Sequence, residues 1–312
     1  MRSGCADDPV CAPPLRSLLK KFGYTDAEEL HGNITNGFML IGKLKEGVGW
    51  PSKPDVAAPP ALPRFFCVFN DDFVRDELAK RIRGTGKDGG ETSSQRFKYT
   101  EILLSEIEIE RDMGQIEGPF AAPTKWGAQT VDYRARASGR AEQLLPAPGD
   151  QECYAAFAFP IEQTGSDGQL KIRRGEDWAR SGHNGMTLVE DSPVHYNVDH
   201  YVESADALVS VGAPDPVSWG QDDEGAYRKL HATPANVMYF ILVTHTGATL
   251  WRHRVAMFGA RGAVWACNRF ADAVMHIARV YLAIKAGHYF EDTGAADAGP
   301  IAQGGFDAYE RM

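Results

Sequence analysis

Two adjacent acids, Glu291 and Asp292, follow the aromatic pair Tyr289-Phe290 in the stretch GHYFEDTG. A second acid pair, Asp222-Asp223, opens DDEGAYRKL, in which Gly225, Ala226 and Tyr227 stand just beyond Glu224. Earlier still, KIRR supplies Lys171, Arg173 and Arg174. Carboxylates gathered from separate strands can hold divalent cations. Two-metal phosphoryl transfer uses them to set two Mg²⁺ ions about 3.5–4 Å apart, clamping the attacking and leaving oxygens. Mg²⁺ keeps several waters, so a few carboxylates suffice. Cations opposite the metals would neutralise a polyphosphate, a task arginine performs in bidentate fashion. Each of these residues also has a plainer reading. Asp222 and Asp223 can be solvated acids on a strand, Tyr227 a core aromatic, and KIRR a solvated strand end. His195, Asp199 and His200 in HYNVDH invite a metal reading, but their spacing is loose and no further ligand is evident.

The elements that would position these residues can be read from periodicity and turn chemistry. Residues 12–48 read as helix, loop and helix, and 51–65, with five prolines, as an irregular connector. Helix is expected again over 71–83 with Asp71 or Asp72 as N-cap, followed by a flexible loop over 84–95. GTGKDGG in that loop lacks the spacing of a phosphate-binding P-loop. The pattern of 99–112 fits helix or strand, and 124–151 is turn-rich and polar. CYAAFAFPIE (153–162) reads as a strand, with a second strand opening at LKIRR. Helix is expected over 196–212, a strand from near Ser218 into DDEGAYRKL, and a hairpin over 237–255 turning at Thr246-Gly247. One long helix should run from Gly262 to about Lys285, burying Trp265, Phe270 and Ile277. The acidic turn comes next.

The 312 residues are 43% hydrophobic, enough for a sizeable core and about two domains as a prior. No stretch approaches the roughly 18 apolar residues of a membrane span, and the first residues lack a signal-peptide core. Five scattered cysteines without zinc spacing suit a reducing compartment, so an intracellular location, nuclear or cytoplasmic, is expected. The net charge of −9 argues against a nucleic-acid coat protein. Neither half is basic: 20 basic and 25 acidic residues precede Lys171, and 13 and 17 run from it onward. A nucleic-acid enzyme of this composition would have to concentrate its positive charge in one groove.

From Lys171 onward four boxes appear in order: KIRRGEDWARSGHN, WGQDDEGAYRKL, HRVAMFGARGAVWACNRF and HYFEDTG. Their order and spacing resemble the reverse transcriptases, most of all those of tyrosine-recombinase retrotransposons and related retroelements, over roughly residues 160–300. The resemblance implies an α+β fold, a fingers and palm with an antiparallel palm sheet packed on helices. It divides the chain into an N-terminal extension, 1–150, helical, loop-rich and partly flexible, and a fingers/palm region, 151–312. By the same resemblance Asp222, Glu291 and Asp292 would be the catalytic carboxylates holding Mg²⁺, or Mn²⁺. Asp223, Gly225 and Ala226 would lie beneath the triphosphate, and Tyr227 would be the aromatic gate under the sugar. Phe258 and Gly259 would back the incoming nucleotide, Lys171 and Arg173 would neutralise the triphosphate, and Asp177, Ser181 and Asn184 would be structural. The implied activity is RNA-templated deoxynucleotide addition, with primer-template and dNTP as partners and no membrane. Oligomeric state is not legible.

Two features depart from that pattern. Glu291 stands where the family's turn has its stronger metal-binding aspartate, and a carboxylate moved by about 1 Å can cost ~10²-fold in rate. Only 20 residues follow Asp292, so no thumb is expected. The turn therefore reads as polymerase-derived and impaired. The alternatives are a non-catalytic retroelement remnant or nucleic-acid-binding module, and an unrelated α/β protein with coincidental acids.

Overall fold

A computed structural model describes residues 12–53, 63–84, 91–126, 144–149, 153–165, 168–223, 225–244 and 247–310. Helices α1 (Ala12–Lys21) and α2 (Ala27–Asn36) lead to the short strands β1 (Phe38–Met39) and β2 (Gly42–Lys43). Helices α3 (Pro63–Gly84) and α4 (Glu91–Asp112) precede β3 (Ile116–Phe120), β4 (Ala155–Thr164), β5 (Leu170–Glu176) and β6 (Thr187–Leu188). Then come α5 (Val198–Ser210), β7 (Pro216–Asp222), a 3-10 turn (Ala226–Lys229), β8 (Ala232–Thr233), β9 (Tyr239–Thr244) and β10 (Gly247–His253). The chain continues through α6 (Arg261–Val280), β11 (Ala286–Tyr289), β12 (Asp292–Ala298) and α7 (Gly299–Glu310). The architecture is α+β, built on a five-stranded sheet, β3-β10-β9-β4-β5, and a three-stranded sheet, β11-β12-β7.

The five-stranded sheet is organised by β9, whose YFILVT is buried at every position. Such a run, apolar throughout, suits a central strand covered on both faces. Side-chain alternation divides it between two cores. Tyr239, Ile241 and Val243 pack with Val74 and Leu78 of α3 and Phe157 of β4. Phe240 and Leu242 pack with Leu103, Leu104 and Ile107 of α4, and with Trp251. A third core joins α1, α2 and α6 through Leu19, Leu30, Ile34, Ala266, Ala273 and Ile277. Elements from both sides of residue 150 share these cores, and β3 pairs directly with β10.

The helix reading of residues 99–112 is the one that folds, because the buried side chains recur at helical spacing against the sheet. Helix α3 starts at Pro63, where a proline's missing N–H is no loss. Asp71 and Asp72 therefore lie inside the helix and are not its N-cap. Asp71 instead pairs with Lys125 at 2.8 Å and accepts from Trp126 Nε1 at 3.4 Å. The expected loop at 84–95 is helical from Glu91, and residues 85–90 lie outside the described residues, as do most of the 51–65 connector, most of 124–151, and Thr246 of the β9–β10 turn. Helix α6 ends at Val280, short of Lys285, and Ala283 turns the chain with φ 56°. Trp265 and Ile277 are buried on α6 as expected, while Phe270 is half-buried.

His183 is held between the ring edges of Phe66 and Trp178, with its Nδ1 2.7 Å from Ser181 Oγ. Full burial pushes its pKa down to about 3, against weaker upward effects of the backbone at Val237 and Tyr154. The folded state keeps this imidazole neutral at pH values where the unfolded chain, near 6.5, takes up a proton. Its contribution is therefore complete above pH 6.5 and is lost as pH falls toward 3. Between pH 7 and pH 5 the unfolding free energy should drop by about 2 kcal/mol from this group alone. Urea midpoints at the two pH values measure it, and His183→Asn should reduce the difference.

Candidate active site

Strands β7 and β12 pair antiparallel with Asp222 directly opposite Asp292, Gly220 opposite Gly294 and Ser218 opposite Ala296. Strand β11 extends the sheet, with Tyr289 opposite Asp292 and Gly287 opposite Gly294. Directly paired residues share a face. One face thus carries Asp222, Asp292 and Tyr289 at its end and glycines behind them. The other carries Trp219, Ala286 and Ala295, which pack on Met275 and Ala278 of α6 and Tyr309 of α7.

A two-residue turn, Phe290-Glu291, joins β11 to β12, with φ 53° at Phe290. Positive φ at the first central position of such a turn normally takes glycine. A bulky residue there is strained, and such strain concentrates at functional sites. The surroundings fix it in place: the His195 ring lies 4.4 Å from that of Phe290 and 5.1 Å from Tyr289. Tyr196 N–H donates to His288 O at 2.8 Å, and His288 Nε2 meets Asp272 Oδ1 at 2.9 Å. His195 is thus a packing partner of the turn, while His200 closes a capping box with Asn197 at the start of α5.

Helix α5 lies over the glycine-lined part of the acidic face. A Cβ on Gly287 would sit 2.1 Å from the Tyr196 ring, and one on Gly294 would sit 2.4 Å from the Tyr201 hydroxyl. These glycines are what allow the two tyrosines to dock. Burial, then Tyr196, then the charge of Asp292 raise the Tyr201 phenol. Beyond the glycines, Asp222 and Asp292 remain exposed. Among the described residues neither makes a hydrogen bond or ion pair through its carboxylate. Like charges directly opposite on neighbouring strands, with Cβ atoms typically about 4.5–5.5 Å apart, destabilise a sheet. The arrangement is one that a cation would relieve.

Asp223 and Glu291 are joined through the backbone, Asp223 N–H donating to Glu291 O at 3.2 Å, and the Asp223 carboxylate is taken by Lys229. The charge of Glu291 reaches inward to Tyr227 and Cys267. Burial first, then Glu291 and Asp223, push the Cys267 thiol up to about 12. Burial, Cys267 and Glu291 likewise raise the Tyr227 phenol. Among the described residues no three His, Cys, Asp or Glu side chains gather closely enough to hold a metal ion.

The second and third boxes meet at Tyr227, whose ring is 4.7 Å from that of Phe258. Tyr227 is only 5% exposed, whereas Phe258 is 49% exposed. Gly225, with φ 67°, starts the 3-10 turn, and Ala226 N–H donates to Asp223 O at 2.9 Å. Asn184 ties the first box to the third: its Nδ2 donates to Gly259 O and its Oδ1 accepts from Arg261 N–H, both at 2.9 Å. Asp177 Oδ1 accepts from Arg180 N–H at 3.0 Å, and Ser181 is buried beside His183. Lys171 and Arg173 are exposed on β5, an edge of the five-stranded sheet, while Asp222 belongs to the three-stranded one.

Arg174, the next residue, turns the other way. It donates to Glu110 at 2.7 Å and to Glu176 at 2.9 Å. Glu176 also meets His253 Nε2 at 2.9 Å, and His253 Nδ1 lies 2.9 Å from Arg228. Arginine only donates, so Nδ1 accepts and the His253 proton sits on Nε2, facing Glu176. Burial lowers the His253 pKa, against the opposing pull of Glu176. Burial would raise Glu176, but His253 and Arg174 outweigh it and hold the carboxyl at about 2. This cluster joins the first three boxes, and sequence reading passed over it. The strand parity of Ile172, Arg174 and Glu176, all opposite to Lys171 and Arg173, was the available signal.

The chain matches no protein-family model, and a search of curated proteins finds no match. Among the described residues no helix is long and apolar enough to cross a membrane.

Proposed function

We propose that this chain is a fingers-and-palm module of reverse-transcriptase type, whose ancestral chemistry is RNA-templated DNA synthesis by two-metal phosphoryl transfer. One observation carries the reading: Asp222 and Asp292, 70 residues apart in sequence, are direct cross-strand partners at the exposed end of an antiparallel sheet. The hairpin turn Phe290-Glu291 lies beside them, and helices back the opposite face. Two carboxylates are a fitting donor set for Mg²⁺, which binds through one or two carboxylates plus substrate phosphates. Asp222 and Asp292 would hold the ion, with Glu291 as the third acid of the turn. Bound there, Mg²⁺ would neutralise phosphate charge and orient the reacting oxygens. Phe258 offers an exposed apolar surface packed against Tyr227. Lys171 and Arg173 remain the triphosphate cations of this reading.

The glutamate sets the expected activity. An extra methylene sets its carboxylate about 1 Å from where an aspartate's would stand, so in this reading metal alignment is impaired. Glu291→Asp should raise Mg²⁺-dependent primer extension, by up to about 10²-fold. Primer extension in Mg²⁺ and in Mn²⁺, at matched folded concentration, tests this. Wild type outperforming the variant would make the glutamate an adapted ligand. The second reading, a non-catalytic remnant or nucleic-acid-binding module, is favoured by the burial of Tyr227 and by α5 over the acidic face. Equal silence of wild type and variant would select it.

A further inference from the structure

Away from the acidic pair, a cavity of about 210 Å³ opens between α2, β1, the segment after β2, and α6. At about 30 Å³ each it would hold roughly seven waters, or one small organic molecule. Phe38 and Trp265 give it apolar walls, and Lys43, Lys45 and Arg269 stand in the lining against a single acid, Glu29. The other acids these cations reach stand behind the lining. Arg269 donates to Asp26 at 2.5 Å, Lys45 lies 3.1 Å from Asp26 and also pairs with Glu29, and Lys43 pairs with Glu190 at 2.6 Å.

Two lining donors are left over. Arg269, 5% exposed, has no acceptor for its buried Nε–H, and the buried Nδ2 of Asn33 has none either. A buried donor without an acceptor costs about 1–3 kcal/mol, more on a charged group. Each such group in a folded protein calls for a partner, which can be water, an ion or a ligand. Both orphans belong to residues that line the same cavity, whose lining also includes Lys45, Trp265 and Phe38. An anionic oxygen would satisfy the donors while a flat apolar body covered Trp265 and Phe38.

We propose that this cavity binds a small organic carboxylate with a flat apolar body. Arg269, Asn33 and Lys45 would take the carboxylate, and Trp265 and Phe38 the body. The proposal stands on the cavity and its donors and is independent of the polymerase reading.

The test is a titration of the full chain with benzoate, and separately with inorganic phosphate, at constant ionic strength, following tryptophan emission and heat. Trp265 reports on the site, and its loss in Trp265→Phe identifies the signal. Benzoate should bind saturably and more tightly than phosphate. Because Arg269→Ala would strip Asp26 of the closer of its two cationic partners, the variants are Asn33→Asp and Lys45→Met. Each should weaken benzoate by about tenfold or more, the scale of one charge-assisted hydrogen bond, with unchanged circular dichroism. The proposal is overturned if benzoate gives no saturable signal, if phosphate binds as tightly, or if both variants bind like wild type. The first of these results would mean that water alone fills the cavity.

Discussion

Glu176→Gln is expected to lower the unfolding free energy by roughly 3–5 kcal/mol, the usual consequence of removing one partner from a buried charge cluster. Glutamine can still accept from His253 Nε2, so the loss is chiefly electrostatic. Arg174 and Arg228 would be left sharing Glu110 as the one remaining carboxylate of the cluster, with Arg174 only 5% exposed in its side chain. Denaturant unfolding at pH 7 measures the change. A midpoint shift worth under about 1 kcal/mol would mean that water reaches the cluster in the folded protein. Acid should reproduce part of the effect in wild type. The Glu176 carboxyl titrates at about 2 in the fold against 4.5 when free. Its contribution is therefore complete above pH 4.5 and is lost as pH falls toward 2. Glu176→Gln should be insensitive to acid through that window, apart from other groups.

The cluster matters beyond stability because it joins elements that carry three of the four boxes. Arg228 lies one residue after Tyr227, and His253 closes the strand that leads to Phe258. Loosening it should reach the packing of Tyr227 on Phe258.

Much of this architecture was legible where local pattern and tertiary demand agree. The unbroken apolar run at 239–244 announced a covered strand, and the amphipathic pattern of α6 announced its buried face. The acidic turn at Glu291-Asp292 was legible, though not the strands β11 and β12 on either side of it, and the resemblance drawn from the order of the boxes set Asp222 with Asp292. Less could be read where identity depends on partners far away in sequence. Asp71 has the residue type of an N-cap, but α3 extends back to Pro63 because Phe66 is drawn into the core beside Tyr154. Tyr196 and Tyr201 gave no sign of lying over Gly287 and Gly294, since nothing local links a helix near residue 200 to glycines near 290. Arg174 and Arg173 are indistinguishable in the string KIRR until the strand has a buried side.

Replacing Asp222 should have opposite effects on stability and on metal binding. Asp222→Asn removes one of two like charges that face each other across β7 and β12, so the metal-free protein should gain about 0.2–1 kcal/mol. The same change leaves Asp292 without its partner carboxylate, so divalent-ion binding and any Mg²⁺-dependent primer extension should be lost. Asp292→Asn should behave alike. A site that is destabilising when empty and stabilising when filled differs in sign from a solvated surface acid, for which both effects are near zero.

The most direct measurement is thermal unfolding of wild type and Asp222→Asn with and without Mn²⁺. At a concentration near 100 times the dissociation constant, Mn²⁺ should stabilise wild type by about 2.7 kcal/mol. Asp222→Asn should start slightly more stable and gain nothing from the ion. Equal Mn²⁺ shifts in both proteins, or none in wild type, would contradict the assignment of Asp222 and Asp292 as a metal-holding pair.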